Sequence, residues 1–271
     1  MSAKKVLNLL LSLVVFCGLF AFSASVVKAD NASVEKARAV LVRLIEFSNK
    51  QQLRSRAAQE LLTGEMLRLN IASFGKFTEM PDKVLLIEKN QAVGRFQRFG
   101  ENNQVTDVYF YLQFDGGWRV GAVRLLSLTG IIEQVYLGLK AKSALTEEEK
   151  GIFENSKLTL SADKELKTWF LQNRKALAEL YTLLQTKGKN AALYLNRDDK
   201  KFPEAAQLLR TLNLSSASIQ PNGNIEIVIG GITDNTVGFV YSPLKEPPQI
   251  SPSSYIWVEE IAAGWYLFRT T

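Results

Sequence analysis

Asp107, Tyr109 and Tyr111 stand at alternate positions of one short segment. In a β-strand such residues share a face, about 7 Å from one to the next. A carboxylate beside phenols is the raw material of a proton-abstraction site. The acid, placed in an apolar cavity, removes a proton, and the hydroxyls hold the oxyanion that forms. The catalytic candidates are therefore Asp107, Tyr109 and Tyr111, with the chemistry of an isomerase or cyclase. The same residues also fit a plainer role on the wetter side of a sheet, where tyrosine packs well.

A second group is aromatic. Tyr255, Trp257, Trp265 and Tyr266, with Phe268, crowd the C-terminal 20 residues. On an exposed face they form a candidate interaction surface for glycan, peptide or protein. Turned toward the helix that carries Trp169 and Phe170, they are core. The segment 243–252 holds four of the seven prolines and is expected to be an extended surface loop.

Composition removes other chemistries. The chain has no histidine, which excludes Ser-His-Asp and Cys-His nucleophiles, histidine-ligated zinc and a histidine pH switch. Its one cysteine, Cys17, allows no intrachain disulfide and no thiolate cage. Asp198-Asp199 is an adjacent acid pair, but it lacks the alternating acids and glycine of a calcium loop. Gly230-Gly231 lies between strands and reads as a bulge or turn. No cofactor or metal site is expected. The net charge is +6, but three of the 33 bases fall in residues 1–29 with no acid. Without them 30 bases face 27 acids, a balance that gives no electrostatic case for nucleic acid.

Residues 1–29 read as a signal peptide. Lys4 and Lys5 form a positive start, 6–22 is nearly unbroken apolar sequence, and Val27-Lys28-Ala29 suits cleavage before Asp30. Phe16 directly before Cys17 departs from the small residue a lipidation site needs. Retention of the segment as an anchor is the alternative. After processing, no permanent membrane span and no cysteine are expected.

The elements that must position the candidates follow from periodicity. Val34, Ala37, Val40, Leu41, Leu44 and Ile45 predict a helix over 33–48, and a second helix is expected over 52–69. Strands are expected at 84–87, 92–99, 105–114 and 118–126, with Asp115-Gly116-Gly117 as a hairpin turn. Residues 131–160 read as a connector, with capping-box spacing at Thr146 and Glu149. A long helix is expected over 162–186 and a shorter one over 203–212. Four strands follow, at 224–229, 236–241, 255–259 and 265–269. Each half runs helices first, then antiparallel strands, so the fold class is α+β. The divisions are 1–29, 30–130, 131–160 and 161–271. Gly117-Trp118 and Gly264-Trp265 hint at an internal duplication.

The run Asp107-Val108-Tyr109-Phe110-Tyr111-Leu112, then Asp115-Gly116-Gly117-Trp118-Arg119-Val120 and Ala122-Val123-Arg124, resembles the closing hairpin of NTF2-like domains. The resemblance covers residues 31–130. It implies helices packed into a strongly curved sheet, a cone with a pocket. It does not imply one activity, because such domains include isomerases, cyclases, dehydratases and non-catalytic modules. The C-terminal half, a smaller α+β domain, carries no such resemblance. The expectation is an exported bacterial protein, periplasmic or extracellular: a non-catalytic ligand-binding or assembly module of the cell envelope. Its partner would be an unknown small molecule or an envelope protein. The alternative is the carboxylate–tyrosine enzyme.

Overall fold

The computed structural model describes residues 31–68, 76–78, 80–99, 105–125, 129–188 and 191–270. The expected signal peptide, its cleavage point, Cys17 and the turn at 100–103 lie outside the described residues. The architecture is mixed α+β, with two antiparallel sheets.

Helix α1 (Asn31–Asn49) buries Ala37, Leu41, Leu44 and Ile45, the stripe that its 3.6-residue period sets up. The helix expected over 52–69 does not form. In its place are a single turn, α2 (Arg56–Gln59), and a 3-10 turn at Gly64–Leu67. The backbone between them is drawn into a strand-like bridge. Thr63 N donates to Val120 O at 2.9 Å, and Val120 N donates to Leu61 O at 2.8 Å. Gly64, at φ +57°, then turns the chain away. A tertiary bond thus overrides a helical pattern.

Five strands make the first sheet: β1 (Lys76–Phe77), β2 (Lys83–Glu88), β3 (Gln91–Phe99), β4 (Val105–Phe114) and β5 (Trp118–Arg124). The order is β1-β3-β4-β5, and β2 shares with β1 the outer edge of β3. Register places Arg95 opposite Tyr109 and Gln97 opposite Asp107. The even residues of β4 face α1. There Phe77, Phe96 and Phe110 meet edge to face with ring centroids 5.6–6.5 Å apart. Gly94 admits the helix: a Cβ there would lie 2.2 Å from Leu41 Cδ1. This interior is packed with side chains.

The expected connector is two helices, α3 (Thr129–Lys140) and α4 (Glu147–Leu160). Thr146 Oγ1 accepts from Glu149 N at 3.2 Å and the Glu149 carboxylate accepts from Thr146 N at 3.0 Å, the reciprocal cap its spacing predicts. Tyr136 of α3 stacks on Phe153 of α4 at 5.0 Å. Asn155 of α4 donates to the carbonyls of Asn213 (2.8 Å) and Ile229 (2.6 Å). At Gly230 a Cβ would meet Thr159 Oγ1 at 2.2 Å, so glycine is what lets α4 approach the second sheet. The expected connector thus holds a helical pair, of which α4 packs on the second sheet.

The second half contains α5 (Asp163–Gln185), β6 (Ala192–Tyr194), α6 (Pro203–Thr211), β7 (Ser216–Ile219), β8 (Ile225–Ile232), β9 (Asn235–Tyr241), β10 (Tyr255–Ala262) and β11 (Trp265–Thr270). Its sheet has six strands in the order β10-β11-β9-β8-β7-β6, where four were expected. β6 and β7 are three and four residues long, too short for alternation to mark them. Gly230 sits at a register shift of β8. Leu166, Phe170, Leu177, Leu180 and Leu184 of α5 pack on Ile227, Phe239, Trp265 and Leu267.

Candidate functional site

Strand alternation does what the sequence implies for Asp107, Tyr109 and Tyr111: all three lie on the face of β4 that turns away from α1. That face is not wet. Asp107 is 7% exposed and Tyr109 fully buried. The second half covers it, bringing β10, β11 and the first turn of α5 against β2, β3, β4 and β5. Val93, Tyr109, Tyr111 and Ala122 meet Ile256 and Trp257 in one apolar cluster, edged by Leu85, Ile87 and Ile250.

Charges are sealed into this contact. Asp163, the first residue of α5, is 1% exposed. Its carboxylate accepts from Arg269 Nε at 2.8 Å, from Arg95 Nη1, and from Tyr109 Oη at 3.2 Å. Arg95 also pairs with Asp82 and lies 3.3 Å from Glu259 Oε2. Its guanidinium sits 4.9 Å from the Trp257 ring centroid, a cation–π contact. Glu259 in turn holds Lys83 at 2.6 Å and Lys167 at 2.8 Å. Four acids (Asp82, Asp107, Asp163, Glu259) thus balance four bases (Lys83, Arg95, Lys167, Arg269) across the two sheets.

Asp107 has a separate task. Ala162 precedes α5 and has no side-chain oxygen with which to cap it. Asp107, 56 residues earlier, accepts from Asp163 N at 3.0 Å. A strand of the first half therefore caps a helix of the second, and its charge sits at the positive end of that helix.

The electrostatics follow from this arrangement. Burial opposes ionisation of Asp163, yet Arg269 and Arg95 outweigh it and hold the carboxyl below its ordinary range. Glu259 is also lowered, burial being overcome by Lys167 and Lys83. Asp107 moves the other way, to about 6, because burial and the neighbouring Asp163 charge exceed what Arg269 and the amide return. Burial pushes the Tyr109 hydroxyl far up. For Arg95 and Arg269 burial acts against the charge, and the surrounding acids raise them despite it.

Little room is left beside the candidates. A cavity of about 10 Å³ borders Asp107, Thr106, Thr159, Ser161 and Arg269, the space of one water. Both tyrosine hydroxyls are engaged: Tyr109 with Asp163, Tyr111 with the carbonyl of Ile256. A larger groove of about 540 Å³ lies elsewhere, between α5 and α6, lined by Glu179, Leu183, Glu204, Gln207 and Leu208.

The aromatic group is not an exposed face. Trp257 and Trp265 are buried, Tyr266 is buried and Tyr255 half-buried. Trp265 meets Phe170 of α5 at 5.3 Å, so it is core. Trp257 lies against Tyr109 at 5.2 Å, so it is interface. Tyr266 and Tyr255 pack on the opposite face of the second sheet with Val240 and Phe268. The physical reason is that β10 uses both of its faces. The proline segment is tied down as well: Arg124 Nε donates to Pro252 O at 2.8 Å, and Tyr111 Oη to Ser251 O at 3.3 Å. Asp198 and Asp199 accept from Tyr194 N and Asn196 N and pair with Arg197 and Arg210, so they brace a loop.

Sequence reasoning named one member of the charged group and missed Arg95, Asp163 and Arg269. A signal existed. Arg95, Asp107, Glu259 and Arg269 are charges set inside apolar strands, two of each sign. Buried charges need partners, so such strands must meet. No helix among the described residues is long and apolar enough to cross a membrane. Compared with protein-family models, curated proteins and solved structures, the chain matches none.

Proposed function

We propose that the chain is an exported, non-catalytic module of the bacterial cell envelope, and that its role is assembly with another envelope protein. The observation that carries this reading is helix α3. Its sequence is apolar, yet none of its described side chains is buried. Ile131 is 52% exposed, Val135 one turn on shares its face, and Leu137 is exposed on another side of the helix. Apolar side chains grouped on one helix are a common mark of a protein contact. The N-terminal half is read as an NTF2-like cone, a proposal supported by α1 lying against one face of a curled sheet. The space between α1 and the sheet is filled by Phe77, Phe96 and Phe110, which favours assembly over capture of a small molecule.

Native mass spectrometry of the protein from its own host tests this. A complex with an envelope protein is expected, lost in Ile131→Glu/Val135→Glu with the melting temperature unchanged. A retained small molecule on a lone chain, or a complex indifferent to the double substitution, overturns the assembly role.

A second reading, an isomerase- or cyclase-type enzyme using Asp107, Tyr109 and Tyr111, has one observation in its favour. A carboxyl raised to about 6 is suited to general base work near neutrality. It requires the two halves to part, since the residues are closed off in the docked form. Turnover that vanishes in Asp107→Asn while the melting temperature stays nearly unchanged would establish it.

A further inference from the structure

We infer that the contact between the two sheets is a proton-dependent latch, in which Asp107 takes up a proton as the halves dock and releases it as they part. The argument begins with competition between two carboxylates. Asp107 and Asp163 share a site with Arg95 and Arg269, and Asp163 takes both cations at close range. Arg269 spends Nε on Asp163 and Nη2 on the carbonyl of Ser161 at 2.9 Å. That leaves Nη2 3.8 Å from Asp107 Oδ2. Arg95 is committed to Asp163, Asp82 and Glu259. What Asp107 accepts at hydrogen-bond distance is the Asp163 amide. It is the underpaired acid of a buried set, beside a like charge.

The groups facing it can be named from every side. β4 supplies Tyr109, β3 supplies Arg95 and Gln97, β11 supplies Arg269, and the start of α5 supplies Asp163. Thr159 and Ser161 line the small cavity beside it. Beyond these stand Glu259, Lys167, Lys83 and Asp82, which are paired. The shifted acids Asp163 and Glu259 move down, and Tyr109 and the arginines move up, out of the mildly acid range. The chain has no histidine to obscure that range. The water-sized cavity gives the proton a place to enter.

The sign follows from linkage. Docked Asp107 binds its proton near pH 6, and an undocked carboxyl near 3.8. The docked form therefore binds the proton more tightly, and mild acid favours it. The docking equilibrium changes by up to roughly 100-fold, about tenfold of it between pH 7.5 and pH 5. The latch tightens in acid and loosens toward alkaline pH, opposite to a salt-bridged aspartate such as Asp163.

The test is a carbon-13 carboxyl titration of the full chain, with hydrogen exchange of the Asp163 amide and of residues 256–259. Asp107 is expected to titrate at about 6. Protection, corrected for the intrinsic pH dependence of exchange, is expected to rise about tenfold from pH 7.5 to pH 5, and to be flat in Asp107→Asn. Titration near 4, or a rise that survives the substitution, overturns the latch. Should Asp107→Asn fail to fold, titration of the unsubstituted chain decides alone.

Discussion

On one side of β4, Val108, Phe110 and Leu112 lie against α1; on the other, Asp107, Tyr109 and Tyr111 lie against the second sheet. Both faces are buried, and different forces hold them. The first excludes water from rings and aliphatic chains and needs only volume and fit. The second closes over five buried charges, Arg95, Asp107, Asp163, Glu259 and Arg269, with Asp82, Lys83 and Lys167 at its exposed rim; burying the five is costly, so its geometry must be satisfied group by group. An apolar face tolerates repacking, whereas a charged one tolerates few arrangements. The difference teaches what each face is for. The first holds the N-terminal half together. The second specifies how that half meets the C-terminal one.

The contrast is sharpest in the largest substitutions. Phe110→Ala should cost about 3–5 kcal/mol in urea unfolding, because the ring is central to its cluster. Its cost should be the same at pH 5 and pH 8. Arg269→Ala should cost a similar amount, about 3–5 kcal/mol, at pH 8, where it leaves Arg95 as the one close cation beside both Asp163 and Asp107. As Asp107 takes up its proton in mild acid the cost should shrink, since one of the two carboxylate charges left sharing Arg95 is removed. Equal pH dependence for the two variants would erase the distinction between the faces.

The pH profile of the unsubstituted chain is the next test. Asp107, raised to about 6, favours the folded state as pH falls from 7 toward 4. Asp163 and Glu259, both lowered, contribute stability above their ordinary range and lose it as pH falls through their folded values. Stability should therefore peak in mild acid, and urea midpoints taken from pH 3 to pH 8 will show it. A monotonic rise to pH 8 would mean that Asp107 is not the odd acid of the set.

Smaller effects separate the roles of individual groups. Tyr109→Phe removes the hydroxyl bond to Asp163 and should cost about 1 kcal/mol. Trp257→Phe should cost less than its lost area suggests, because the buried indole Nε1 has no acceptor and that unmet donor goes with it. Arg56→Ala, at an exposed pair with Glu60, should change stability by less than about 0.5 kcal/mol.

Much of the fold was legible because it rests on local periods. The stripe of α1, the alternation of β4, the turn at Gly116 and the cap at Thr146 each follow from a few neighbouring residues. Legibility failed where a distant partner decided. Residues 61–63 carry a helical pattern and bond to Val120 instead. β6 and β7 exist because β8 offers an edge to pair with. The candidate site was half legible. Alternation put Asp107, Tyr109 and Tyr111 on one face, but whether water, substrate or protein covered it was not written in β4.

Sequence by itself determined the chemistry that is excluded, since no histidine and a single cysteine are facts of composition. It also determined the α+β order and which residues share a face, because backbone geometry sets those periods. Only the tertiary structure decided that Asp107 caps a helix 56 residues away and that Arg95, Asp163, Glu259 and Arg269 share its enclosure. The physical reason is that an ion's worth depends on its surroundings. The same carboxyl is a solvated ornament on an open sheet and a titrating latch in a closed one, and closure is a property of the whole chain.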